Sequence, residues 1–211
     1  MVIVPDFDTL YRSDPDPWQV ASSFYEQRKR AVLLACLTRA SYASAWDPAC
    51  GTGDLAAELA HRADAVVATD SSAEAVRLTA ARCAGLPQVS TGQIRQPGRP
   101  ERPEASFALV VIAEFAYYLA DPERARLWSV IAEESAPTAE IVVVHWRHRP
   151  HDGYLSGADA NLEAIQSLTG PAAAPTATAA PAAPAAPAVR SWVRAVHHDD
   201  RDFVLDVLVR D

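Results

Sequence analysis

Cysteine is scarce in this chain and unpaired in pattern. Cys36, Cys50 and Cys83 are its only three and form no C-x-x-C pair. Neither a disulfide framework nor a zinc site is expected, and a reducing compartment is. Long apolar runs are also missing. Stretches such as "AVLLACL" at 31–37 fall far short of the ~18 residues that a membrane span needs. The opening "MVIVPDFD" has no basic segment ahead of a long apolar one, so no signal peptide is expected. Basic charge is outnumbered, with 19 Lys and Arg against 27 Asp and Glu and a net charge of −8. Nucleic-acid backbones and anionic membranes both want a positive footprint, so neither is expected as a partner. What remains is a soluble, cytoplasmic protein, expected as a monomer or weak dimer. Its 211 residues, 49% apolar, suffice for one core and one domain over 1–211.

The order of elements is readable. "SFYEQRKRAVLLACLTRA" reads as a helix, with Ser22 or Ser23 as N-cap and Glu26 completing a capping box with Ser23. The remainder of "EQRKR" reads as a solvated face. Residues 43–48 form a strand into a Gly loop, and "DLAAELAHRA" forms a helix. "AVVATD" is a strand, followed by a helix ending near Gly85 and a short strand, "QVSTGQI". After a loop from Pro97 to Pro103, "FALVVIAEF" has the continuous apolar character of a strand buried on both faces. "DPERARLWSVIAEES" is a helix with Asp121 at its N-cap and Pro122 in first position. "AEIVVVHW" is a second buried strand, and "GADANLEAIQSL" a short helix. Residues 170–188 are an Ala/Pro spacer in which proline forbids a helix. "VRSWVRAV" and "DFVLDVLVRD" around "HHDDR" read as an antiparallel hairpin. This alternation predicts an α/β fold, a doubly wound, mostly parallel sheet closed by that hairpin.

The Gly loop "AWDPACGTGDLA" at 45–56 carries the chemistry. "GTGDLA" fits G-x-G-x-x-G/A, and Asp70 ends the next strand about 20 residues on. A P-loop is excluded, because no Lys-Ser/Thr follows the glycines. A dinucleotide is disfavoured, because its pyrophosphate wants positive potential at the helix start. Asp47 and Asp54 flank that place instead. S-adenosylmethionine fits better. It has no phosphate, and its methionyl end carries an ammonium beside a sulfonium, which Asp47 attracts. Its ribose takes a bidentate acceptor at Asp70. Its adenine lies against the end of the third strand, where Gln93 and Ile94 stand.

"WDPACGTG", "ATD", "TGQI", "FALVVIAE" and the final hairpin resemble the ordered motifs of class I methyltransferases, over about residues 43–146 and 189–210. That resemblance implies a Rossmann-like sheet of seven strands with the last antiparallel. "DPACGTG" also occurs in N6-adenine DNA methyltransferases. Those need a D/N/S-P-P-F/Y/W loop after the fourth strand to hold a flipped base, and here it reads "AEFAYYL". The opening "FDTLYRSDPDPWQVASSFYEQRKR", then "EFAYYL" and "VVVHWR" with "DGYLSGADA", resemble the nodulation protein S family instead. The resemblance implies methylation of an amine, on a small molecule or an oligosaccharide aminosugar. It also implies that residues 1–42 cap the cofactor site, with Trp18, Tyr25 and Arg28 over it, and that Ala49, Gly51, Gly53 and Ser71 line the cofactor. Four positions depart from the family pattern. Ala49 replaces a glycine, Gln93 an acid, Ala108 an aspartate, and Pro137-Thr138-Ala139 a glycine turn. Methylation of a hydroxyl, and a cofactor-binding homologue without catalysis, stay open as alternatives.

In open α/β sheets ligands sit at the carboxyl ends of the strands. Glu114, Tyr117 and Tyr118 follow the fourth strand there, and His145 and Trp146 end the fifth. Glu114 is the first candidate to hold an acceptor ammonium. His145 is the second candidate base, by its ordinary pKa near 6.5, and Tyr117 the third catalytic candidate. Trp146 is read as core. His145, His148 and His151 are three apart, but they precede a proline and fit no zinc spacing, so no metal is expected.

Overall fold

A computed structural model describes residues 2–100, 106–170 and 191–210. The Ala/Pro spacer, apart from Gly170, and residues 101–105 of the Pro-rich loop lie outside the described residues. Seven strands form one sheet: β1 (Ala45–Asp47), β2 (Val66–Asp70), β3 (Val89–Gln93), β4 (Phe107–Ala113), β5 (Ser135–Trp146), β6 (Trp192–Asp199) and β7 (Phe203–Arg210). Their order is β3-β2-β1-β4-β5-β7-β6. The pairs from β3 to β5 are parallel, and β7 runs antiparallel to both β5 and β6. This is the doubly wound sheet with a hairpin closure that the alternation of patterns predicted.

Among the described residues six α-helices accompany the sheet: α1 (Phe7–Ser13), α2 (Phe24–Cys36), α3 (Asp54–Leu59), α4 (Ala73–Arg82), α5 (Asp121–Glu134) and α6 (Gly157–Thr169). Each central strand buries both faces. Leu109 and Val111 pack into one core with Leu33, Leu59 and Val144, while Val110 and Ile112 pack into the other with Trp46, Leu127 and Ile131. Period-two alternation thus splits one apolar run between two cores. Because β1 pairs with β2 on one side and β4 on the other, the chain leaves β1 and β4 in opposite directions. The crevice at such a switch point is where α/β sheets bind ligands.

Two helix starts differ from expectation. Ser23 is the N-cap of α2 but makes no side-chain cap bond, and Glu26 reaches Lys29 instead. In α5 the N-cap is Ala120, with Asp121 one place inside. The Ala120 amide donates to the Glu123 carboxylate at 3.0 Å, which is the returning half of a capping box. Ala120 is the last extended residue (ψ 158°) and Asp121 is already helical, which moves the boundary by one residue.

Candidate active site

A cavity of about 970 Å³ opens at the carboxyl ends of β1 and β4. That is room for a ligand of several hundred daltons and a second molecule beside it. Its donor half is made by the Gly loop. Gly51 (φ 53°) and Gly53 (φ 80°) both adopt the left-handed region, which a glycine enters without a Cβ penalty. A Cβ on Gly51 would lie 2.8 Å from the Tyr11 hydroxyl oxygen, and one on Gly53 2.8 Å from the Thr79 Cα. Gly51 lines the cavity, whereas Gly53 acts through the loop's shape and its close approach to α4.

Asp70 is clamped from two sides. Its Oδ2 accepts from the Gly51 amide at 3.0 Å and its Oδ1 from the Ser72 amide at 2.9 Å. Burial raises its pKa, and those amides pull it back part of the way. Asp47 is held less completely. It is buried, and its Oδ2 has no hydrogen-bond partner. Burial, and then the charge of Asp70, push its pKa up to about 7. Asp54 differs from both. It accepts from Thr52 Oγ1 at 2.7 Å and pairs with Arg82 at 3.1 Å, so its charge is locally compensated. The negative potential assigned to both sides of the glycines therefore comes from Asp47 and Asp70.

Ala49, Ser71 and Ile94 line the same half. Gln93 does not line it. It is exposed, and its amide nitrogen donates to the Ser71 carbonyl at 3.0 Å. Gln96 stands in the wall instead, buried, with an unpartnered Oε1. β3 ends at Gln93, and the turn beyond it brings the second glutamine inward. No sequence signal separates the two.

The other half of the cavity is built around Glu114, the first residue past β4. It has φ 59°, a left-handed conformation that costs on the order of 1–3 kcal/mol in a non-glycine residue. The strain is held by a dense set of bonds. Glu114 Oε1 accepts from Lys29 Nζ at 2.5 Å, and Oε2 from the Tyr117 hydroxyl at 2.6 Å. The Trp146 amide lies 3.0 and 2.8 Å from the two oxygens, and the Tyr25 hydroxyl 3.4 Å from Oε1. Burial pushes the Glu114 pKa up, but the Lys29 charge and these donors outweigh it and hold the carboxyl below its usual range. Lys29 is the chain's only lysine. It is buried, contacts Glu26 at 2.9 Å, and lies 4.7 Å from the Tyr25 ring centre. "EQRKR" is therefore not wholly a solvated face, since Glu26 and Lys29 turn into the cavity wall. The signal available for Lys29 was its uniqueness.

His145 lies beneath this wall and not in it. It is fully buried and is not among the residues that line the cavity. Its Nε2 accepts from the Ala116 amide at 3.3 Å, and its Nδ1 lies 2.8 Å from Asn161 Oδ1. Asn161 in turn donates to Asp206 at 2.8 Å. Burial lowers the His145 pKa, so the ring is neutral, with its proton on Nδ1, and carries the turn that bears Tyr117. It holds the site's floor and is not placed to act as a base. Trp146, read as core, is 37% exposed and lines the cavity. Its partner is His148 at 5.1 Å, while His151 is exposed. The three histidines therefore diverge, and among the described residues no group of three or more His, Cys, Asp or Glu could hold a metal ion.

The N-terminal segment covers the donor half. Asp8 accepts from Ser72 Oγ and the Glu74 amide, both at 3.0 Å, which ties α1 to the start of α4. Tyr11 and Trp18 pack edge to face at 5.6 Å, and Phe7 packs on Tyr118 at 5.2 Å. Trp18 and Tyr25 line the cavity. Arg28 does not. It pairs with Asp200 at 2.6 Å and stacks over Phe203 at 5.2 Å, fastening α2 to the β6–β7 turn. Tyr11, beside Gly51, is a further wall residue that the sequence did not reveal.

The unpartnered acceptors Asp47 Oδ2 and Gln96 Oε1 test what belongs here. A ligand with an ammonium and an amino-bearing base supplies the donors that both lack. The uncompensated charge of Asp47 and Asp70 suits a cationic ligand and repels a pyrophosphate. The donor half thus fits S-adenosylmethionine. Among known folds, the structure is similar to a Pseudomonas syringae protein provisionally assigned as a methyltransferase, at 29% identity and TM-score 0.69, covering 89% of this chain and 100% of that one. It is also similar to the N-methyltransferase NodS from Bradyrhizobium japonicum WM9 in complex with S-adenosyl-L-homocysteine, at 17% identity and TM-score 0.74, covering 96% of each chain. A third similar structure is the DhpI complex with S-adenosylhomocysteine, at 18% identity and TM-score 0.62, covering 97% and 93%. No curated protein matches. Residues 9–167 match Nodulation protein S (NodS), and the chain belongs to this family of S-adenosylmethionine-dependent methyltransferases.

Proposed function

We propose that the acceptor is a soluble amine, an aminosugar among the candidates, and that the methyl group goes to its nitrogen. The observation that carries this reading is Glu114. It is a strained carboxylate at the end of β4, kept ionised and facing a cavity wall of aromatic rings. A fixed negative charge beside ring faces attracts a cation. S-adenosylmethionine, when bound, supplies a methyl group on a cationic sulfur. Asp47, Ala49, Gly51, Asp70, Ser71 and Ile94 would hold it. The fixed charge of Glu114 draws the acceptor nitrogen to this wall, and positioning of this kind is a large part of the catalytic task. Tyr117 fixes Glu114, and Trp18 and Tyr25 exclude water from above. That N-methyltransferase NodS shares this fold supports the reading.

The test is release of S-adenosylhomocysteine across matched amines and alcohols, glucosamine against glucose first. Turnover of amines with the alcohols inert is the expected result. Turnover of alcohols alone would move the acceptor to oxygen. Tight S-adenosylhomocysteine binding with every acceptor inert would favour a cofactor-binding protein without catalysis.

A further inference from the structure

An acceptor amine near neutral pH is mostly an ammonium, and it cannot attack until it loses a proton. We propose that Glu26, on helix α2, takes that proton, while Glu114 only holds the nitrogen. This rests on the amine reading above.

Three observations on the cluster carry it. First, Lys29 Nζ bridges the two carboxylates, at 2.5 Å from Glu114 and 2.9 Å from Glu26, so both stand at one place in the wall. Two carboxylates share a single ammonium and leave one negative charge uncompensated. Arg30, the other cation acting on Glu26, donates to the Val20 carbonyl at 3.3 Å and forms no ion pair among the described residues. Second, the oxygens differ in availability. Both oxygens of Glu114 are occupied, by Lys29, Tyr117 and the Trp146 amide. Glu26 Oε1 accepts from Lys29, and its Oε2 makes no hydrogen bond among the described residues. A proton acceptor needs such a lone pair. Third, the two environments push in opposite directions. Burial raises the Glu26 pKa against the pull of Lys29, and Glu114 is held low. Paired acids with diverging pKa values divide into base and electrostatic partner.

The step balances simply. The N–H bond breaks and leaves its electron pair on nitrogen, and an O–H bond forms on Glu26. Ammonium and carboxylate both become neutral, and the proton later leaves to water through the cavity mouth.

The experiment has two arms. In the first, the full chain carries ¹³C at the glutamate carboxyls, with E26Q and E114Q to assign them. The Glu26 carboxyl is expected to titrate above the ordinary value of about 4.3, and Glu114 below it. Glu26 titrating at or below Glu114 overturns the proposal. In the second, E26Q is compared with wild type on a turned-over amine. It should lose about 100-fold in kcat/KM at pH 7 and recover as the pH nears the amine's own pKa, with S-adenosylhomocysteine affinity kept. An equal loss at every pH, or none, overturns the proposal. Failure of wild type on every amine overturns the amine reading and this step with it, whereas a Glu26 carboxyl titrating at or below Glu114 overturns the step alone.

Discussion

The two halves of the cavity hold buried carboxylates in different ways. In the donor half, Asp70 is fixed by two backbone amides, and Asp47 keeps an oxygen with no partner. In the other half, proposed to take the acceptor, Glu114 is fixed largely by side chains drawn from α2 and from the turn after β4. The donor half is the product of one strand-turn-helix unit and its neighbour. The Glu114 half exists only once helix α2 packs on the sheet. A carboxylate left uncompensated awaits a cationic ligand, whereas one supplied with a lysine stays charged whether or not a ligand comes.

The largest test of this contrast is Lys29→Met. It leaves Glu26 and Glu114 as like charges without a counter-ion, and breaking a buried pair costs about 3–5 kcal/mol. The melting temperature at pH 7 should fall by roughly 10 °C, taking 2–4 °C per kcal/mol at this size. Both carboxyls then have raised pKa values, so their penalty appears as pH rises through those values. The deficit should therefore shrink at pH 5. A deficit independent of pH would mean lost packing and not lost charge.

Asp70→Ala should act on the other half. Two backbone amides lose their acceptor, and hydrogen bonds to charged groups are worth about 1.5–3 kcal/mol. Calorimetry with S-adenosylhomocysteine should show affinity about 100-fold lower. Unchanged affinity would remove Asp70 from the donor site.

Asp47→Asn has the smallest effect on binding and the most pointed sign. The Asp47 pKa is raised from its unfolded value of about 3.9 to about 7. Its contribution to stability is present below about pH 4 and is lost as pH rises through 7. Three pKa units are worth about 4 kcal/mol, so the substitution should raise the melting temperature of the free protein at pH 8 by up to roughly 10 °C and leave it unchanged near pH 4. It should also weaken S-adenosylhomocysteine about tenfold at pH 8. Stabilisation without weaker binding would show that Asp47 is not a ligand contact.

Much of this site was legible in the sequence. "FALVVIAEF" declared a strand buried on both faces, and Glu114 followed as the residue at its end. The Gly loop and Asp70 were readable because the turn fixes their spacing. Local pattern makes Glu26 a capping residue and Lys29 part of a solvated face. Both readings came from local rules that a buried cluster overrode. His145 and Trp146 are neighbours in one strand, so their side chains take opposite faces. Which face met the cavity depended on the packing of α6 and β7, and the sequence reading reversed it. Gln93 and Gln96 were separated only by where β3 stops.

By itself the sequence determined the βαβ order, the shape of the Gly loop and the placing of Asp47 and Asp70. Those depend on backbone conformations and periods set by neighbouring residues. Only the tertiary structure decided which carboxylates would be charged and which could take a proton. Lys29 and Glu114 are 85 positions apart. A carboxyl's pKa follows from burial and from charges within a few ångströms, and those distances are set by packing.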